Sequence, residues 1–373
     1  GVAAAMTTPG SIALAFRLFE GDRLRVRAMT LISTVGLVGL AIGPTAGGFV
    51  LAIAPWQVLL LSNVPIAAFA IIGIRLGIAA DDALELHRDP IDIAGAVLGT
   101  ATIVLALVTP TVFVNEGIRS WLPWTATGAT IAAAILFVLR ERSATYPLLD
   151  LRLLGRPLVS SGLAFKAATG LAVAGMGYMV TLQLQLDWGW PPYLASIGML
   201  PQVLVLVFGG PLANRFIERA GLAEAAWLSA AAVVAGLAIY GLLGTFGYVW
   251  IAIALALVAA GIRVNGVVAG TNVLRGLPNN RTSIGAALVD TASEVANAVG
   301  IAITGTVLAA LFTGSIATSG WSTGQVTQFE AAIRIAGLTL TVVAAALVGW
   351  GIVRGQGPAE AWASASIAER PGG

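Results

Sequence analysis

Apolar residues run through this chain in long blocks, separated by short polar segments that carry most of the charge. A helix crossing the hydrocarbon core needs roughly 20 apolar residues. That rule predicts eleven spans, at 1–16, 29–53, 57–79, 91–113, 120–140, 158–183, 192–213, 224–243, 247–272, 284–312 and 330–353. Most connections are short, but two charged loops, 80–90 and 140–157, divide the spans into groups of three, two and six. The tail after Arg354 is small and polar, which predicts a disordered end. The chain opens on Gly1 inside an apolar segment, with neither a charged leader nor a cleavage site. It therefore reads as lacking its beginning rather than carrying a signal peptide.

Composition fits the pattern. Of 373 residues, 58% are apolar and 10% charged, against about 25% charged in soluble domains, and the mean hydropathy is +0.91. The fold class is all-α, a polytopic membrane protein. Basic residues orient it. If the loop holding Arg17, Arg23, Arg25 and Arg27 is cytoplasmic, sixteen arginines fall inside and only Arg119 and Arg334 outside. Trp56, Trp121, Trp124, Trp188, Trp190, Trp250 and Trp321 then all sit at the outer interface, where amphipathic rings are expected. Nineteen arginines against one lysine suggest a GC-rich bacterial genome, and so a bacterial inner membrane.

Several chemistries are excluded. Zero cysteines rule out disulfides, thiolate metal sites and cysteine nucleophiles. The single histidine, His87, lies in a charged loop beside Arg88 and Asp89, so no histidine metal cluster is expected. No Gly-rich loop with a following lysine is present, and no histidine is placed to activate a serine or threonine. An enzyme and a bound cofactor are therefore not expected. The basic residues are scattered between spans without a patch, so nucleic acid is not a partner.

Asp290 and Glu294 carry the sharpest signal. Four residues apart in the 284–312 span, they share a helix face, roughly 10 and 16 Å in from the cytoplasmic end. An acid at that depth costs about 2.5–3.5 kcal/mol on insertion scales unless it is protonated, paired or wet. Such a group can take a proton from one side and release it to the other; a structural pair satisfied by neighbouring helices is the alternative. Arg263 and Asn265 lie within the 247–272 span, and Arg263 needs either one of those acids as partner, a wet cavity, or a route back to the interface. Lys166, about eight residues into its own span, is expected to reach the interface. Gln183, Gln185 and Asp187, with Trp188, Trp190 and Tyr193, form either an organic-cation site or an ordinary aromatic belt. Tyr178 and Met176 are candidate cavity liners. In Val35–Gly48, finally, Gly36, Gly39, Gly43 and Gly47 line one helix face for close packing, and Pro44 bends it.

These motifs resemble the major facilitator superfamily, specifically its fourteen-helix drug/proton antiporter branch. Gly39-xxx-Gly43-Pro44-xx-Gly47-Gly48 is similar to the antiporter signature of that branch's fifth helix, with Thr30 where the signature has a further glycine. WQVLLLSNVPIAAF at 56–69 resembles the start of the next helix, with Asn63 and Pro65 in register. PLLDLRLLGRP at 147–157 and LQLQLDWGWPPYLASIGMLP at 182–201 look like the linkers around the ninth helix. GAALVDTASEVANAVGIAITGTV at 285–307 resembles the thirteenth helix of exporters of quaternary ammonium compounds and dyes. GGPLANRFIERAG at 209–221 is similar to a decayed loop motif, with Asn214 in place of an aspartate.

The resemblance implies eleven of an expected fourteen helices, with three missing ahead of Gly1. Residues 1–79 would be the second half of an N-terminal bundle, 80–157 two extra helices with cytoplasmic loops, 158–354 a complete six-helix bundle, and 355–373 a tail. It implies proton-coupled efflux of amphiphilic cationic drugs or dyes, without a cofactor, by a monomer in the bilayer. Asp290 and Glu294 would couple protons or bind cations; Arg263, Asn265, Tyr178 and Gln183 would line a substrate cavity. Gly39, Gly43, Pro44, Gly47 and Gly48 would act through conformation. Export of an endogenous metabolite such as an antibiotic, or a truncated protein without transport, are the alternatives.

Overall fold

The computed structural model describes residues 22–77, 92–117, 119–145, 151–277, 282–313 and 321–368, with isolated positions 14, 18 and 147. Helix α1 covers Asp22–Ile53, α2 Gln57–Gly77, α3 Ile93–Glu116 and α4 Trp121–Ser143. Helix α5 covers Pro157–Leu182 and runs on as a π-helical turn, Gln183–Asp187. Three short helices follow: α6, Pro192–Gly198, α7, Leu200–Phe208, and α8, Gly210–Ala220. The last four are α9, Leu222–Leu243, α10, Tyr248–Gly276, α11, Thr282–Leu311, and α12, Thr323–Ala368. Helix ends carry ordinary local signals. Asp92 caps α3 by accepting from the Gly95 amide, Pro157 opens α5 where a missing N–H is harmless, and Gly117 and Gly221 stop α3 and α8 with positive φ.

Eight helices among the described residues are long and apolar enough to cross a membrane, or nine if the bent pair α7–α8 is one span. Of the other two expected spans, 29–53 falls within the 32-residue α1, and 1–16 lies outside the described residues apart from position 14. The loop at 80–90, with His87, lies outside them too. One expectation changes. The run 192–213 is not one straight span but α6, α7 and α8, with a 60° bend between the last two. There Gly209-Gly210-Pro211 weakens the helix and removes a donor. The helix α12 is drawn through to Ala368.

The core surrounds α5, which packs against α10, α11 and α12, while α9 packs against α10 and α12. Leu171, Met176, Met179, Leu237, Tyr240, Leu255, Phe329 and Leu340 are all buried there. The seam between α5 and α11 is unusually close. A Cβ on Gly170 would stand 2.7 Å from the Ser293 carbonyl oxygen, and one on Gly300 would stand 2.6 Å from that of Leu171. Hydrogen side chains therefore let the two backbones touch, the mode of association expected in lipid. Helices α3 and α4 form a hairpin pinned at one end by Arg140, whose Nε and Nη2 donate to the Asp92 carboxylate at 2.9–3.1 Å. That guanidinium, with the Gly95 amide, holds the Asp92 carboxyl below the usual carboxylate range. Helix α3 also touches α11, and α1 reaches α6 and α7.

Candidate functional site

The α5–α11 seam positions the two membrane acids. Asp290 is half-buried and Glu294, one turn further, is exposed. The cation that answers Asp290 is Lys166 on α5, close enough to act on its charge, with Glu294 acting in the opposite sense. Lys166 stands nine residues after the start of α5 and Asp290 eight after the start of α11, at nearly equal depth. Parallel helices in backbone contact bring such positions together. Lys166, expected to reach for the interface, is within electrostatic reach of the acid without forming an ion pair with it.

Arg263 is placed elsewhere. Its Nη2 donates to the Val207 carbonyl at 3.4 Å, and its guanidinium lies against Gly210 at the α7–α8 bend. Among the described residues no carboxylate pairs with it. Asn265 is fully buried, and its Oδ1 accepts from the Ser229 hydroxyl at 2.7 Å, tying α9 to α10. Gln183 is equally buried, and its Nε2 donates to the Gly244 carbonyl at 2.9 Å. Both amides thus serve helix–helix contacts. Tyr178 is the exposed member of the four. Thr181 and Gln185, three and seven residues further on, lie on the same face.

The glycine-rich stretch of α1 meets the second half of the chain at one point. A Cβ on Gly48 would collide with the Ser196 hydroxyl and stand 2.7 Å from the Pro192 carbonyl oxygen, both on α6. Gly36, Gly39 and Gly43 meet nothing within 4 Å among the described residues. Beside the contact lies a cavity of about 210 Å³, bounded by Gly47, Gly48, Leu51, Thr181, Gln185 and Met199. Among the described residues the tight contact of this stretch is therefore made by Gly48, beside the face of Gly36, Gly39, Gly43 and Gly47.

The family model described as Major Facilitator Superfamily matches residues 1–301. The chain belongs to that superfamily. It is 27% identical over 312 residues to the methylenomycin A resistance protein of Bacillus subtilis (strain 168), covering 83% of this chain and 66% of the relative. Against the methyl viologen resistance protein SmvA of Salmonella typhimurium (strain LT2) it is 26% identical over 320 residues, covering 84% and 63%. Against the methylenomycin A resistance protein of Streptomyces coelicolor it is 27% identical over 344 residues, covering 89% and 68%. The chain spans about two thirds of the length of these relatives. As a superfamily member it is a multi-pass protein of the bacterial inner membrane, in a family of transporters rather than enzymes.

Within this superfamily member, the end of the C-terminal helices around Asp187 holds groups that sequence reasoning joined only in part. Asp187 ends the π-helical turn, half-buried, within electrostatic reach of Glu330 on α12 and of the Tyr240 hydroxyl on α9. Tyr240 is fully buried and its hydroxyl has no hydrogen-bond partner among the described residues. The neighbouring aromatics stack chiefly on one another, Trp188 on Trp190 at 5.9 Å and Trp190 on Tyr248 at 5.5 Å. A separate trio, Phe312, Trp321 and Phe329, has ring centroids 4.9–6.3 Å apart. Glu330, a lone acid entering an apolar run, was the available signal.

Proposed function

We propose that this chain exports amphiphilic, cationic compounds from the cytoplasm in exchange for protons, through Asp290 and Glu294. Residues 1–79, 80–157 and 158–354 act as the half-bundle, the extra helix pair and the complete six-helix bundle of such an exporter. Relatives named for resistance to methyl viologen and methylenomycin A support export of small toxic compounds. The observation that carries the reading is the unequal state of the two acids. Asp290 is half-buried and within electrostatic reach of Lys166, whereas Glu294 is exposed one turn away.

That inequality suits an exchanger. A proton on Asp290 removes the countercharge of Lys166, so protonation changes how α5 and α11 hold together at the seam. An organic cation drawn to ionised Glu294 competes with protonation of the same face. Any ligand that prefers one arrangement of the seam shifts the equilibrium between arrangements by its difference in affinity, and no more. Energy comes from the proton gradient, without a bound cofactor.

The test is ethidium efflux, driven by an imposed pH gradient, in membrane vesicles containing the protein. Asp290→Asn and Glu294→Gln are each expected to lower coupled efflux at least tenfold while the protein still inserts. If both variants export at the wild-type rate, these carboxylates are structural and the proposal fails.

A further inference from the structure

The bend between α7 and α8 leaves an arginine beside an open apolar groove. Pro211 has no N–H, so the Val207 carbonyl four residues earlier loses its helical donor. Arg263 of α10 replaces that donor at 3.4 Å, a long bond. The opened bend borders a cavity of about 440 Å³ lined by Gly209, Leu212, Phe216, Leu228, Ser229 and Arg263, among others. Apart from Arg263 and the Ser229 hydroxyl, which is engaged with Asn265, its side chains are apolar.

A guanidinium is permanently charged and carries five donors. Here one donor has an acceptor, and Nε is buried with none. Among the described residues no carboxylate pairs with the group. Arg263 lies fifteen residues from one end of α10 and thirteen from the other, roughly 22 and 20 Å at 1.5 Å per residue. A cation at mid-depth, with unused donors and an apolar chamber beside it, is matched by an anion with an apolar body.

We infer that the cavity at the α7–α8 bend binds the carboxylate of a single-chain amphiphile, its two oxygens accepting from Arg263 and its chain filling the chamber between α8, α9 and α10. A carboxylate accepts two parallel bonds from the two terminal nitrogens, the geometry that a guanidinium supplies and an ammonium does not. This site is separate from Asp290 and Glu294. It needs no proton coupling, so binding and efflux fail independently.

The experiment uses the protein in phosphatidylcholine nanodiscs with tritiated decanoate as probe, and decyl sulfate or decyltrimethylammonium as competitor. Saturable decanoate binding is expected, displaced by decyl sulfate and not by decyltrimethylammonium. Arg263→Gln should weaken it at least tenfold, with Arg263→Lys intermediate. Because Arg263→Gln also frees the Val207 carbonyl, Ala232→Trp is the second variant. It fills the cavity, leaves the arginine in place, and should abolish binding in a protein that elutes and melts like the wild type. Absence of saturable binding, undiminished affinity in Arg263→Gln or Ala232→Trp, or equal displacement by the cationic competitor would each overturn the proposal and leave Arg263 as a cap on a broken helix.

Discussion

Lys166 on α5 and Asp290 on α11 stand at nearly equal depth on helices whose backbones touch, within electrostatic reach but not in an ion pair. Each charge makes the other tolerable in the membrane, so removing one strands its partner. Lys166→Met and Asp290→Asn should each lower the melting temperature in detergent. The double variant should be more stable than the sum of the two predicts, by about 1 kcal/mol, in the range for coupled charges that are partly exposed. Strict additivity would mean that the two charges are neighbours without being coupled.

Gly48 and Gly43 belong to the same glycine-rich stretch and should respond oppositely to alanine. At Gly48 a methyl group would meet the Pro192 carbonyl and the Ser196 hydroxyl. Helix α1 would have to move off α6, an overpacking cost of about 1–3 kcal/mol. At Gly43 nothing among the described residues lies within 4 Å, and alanine is the better helix former by about 1 kcal/mol. Thermal unfolding of both variants checks the contrast. Equal losses would mean that the whole glycine face is packed.

Much of this arrangement was legible in the chain itself. Run lengths placed most helices within a few residues, because a helix crossing lipid announces itself by length and apolarity rather than by a subtle period. Asp290 and Glu294 stood out for the complementary reason, that charge at depth is rare. Contacts across helices were harder to read. Arg263 had one of the acids, a wet cavity or the interface open to it, and a backbone carbonyl freed by Pro211 accepts from it. Lys166 shared its depth with Asp290, which was visible. The missing piece was that α5, far away in sequence, lies against α11 through Gly170 and Gly300. The burial of Asn265 and Gln183 could not be read from polarity alone, since an amide in a span serves a helix–helix bond as readily as a ligand.

Tyr240→Phe asks what the outer cluster is for. The hydroxyl is fully buried and, among the described residues, unpartnered, near Asp187. A buried polar group without a partner is destabilising, and replacing it by an apolar group of the same shape should be neutral or stabilising. The variant is expected to melt at or above the wild-type temperature. A loss of more than about 1 kcal/mol would show that the hydroxyl is bridged by water towards Asp187.

Asp92 gives the pH dependence. Its carboxyl is held below the ordinary range by Arg140 and by the Gly95 amide, so it binds a proton less readily folded than unfolded, where the value is about 3.9. Its contribution is therefore complete above the unfolded value and is lost as pH falls through the lower, folded one. Comparing wild type with Asp92→Asn isolates that contribution, because asparagine does not titrate. The gap in melting temperature should be constant from about pH 5 to 8 and should close below about pH 4, as protonation deprives Arg140 of its partner. A gap that stays constant down to pH 3 would mean that the α3–α4 hairpin does not depend on the charge of Asp92, and that the carboxylate acts only as a cap for the Gly95 amide.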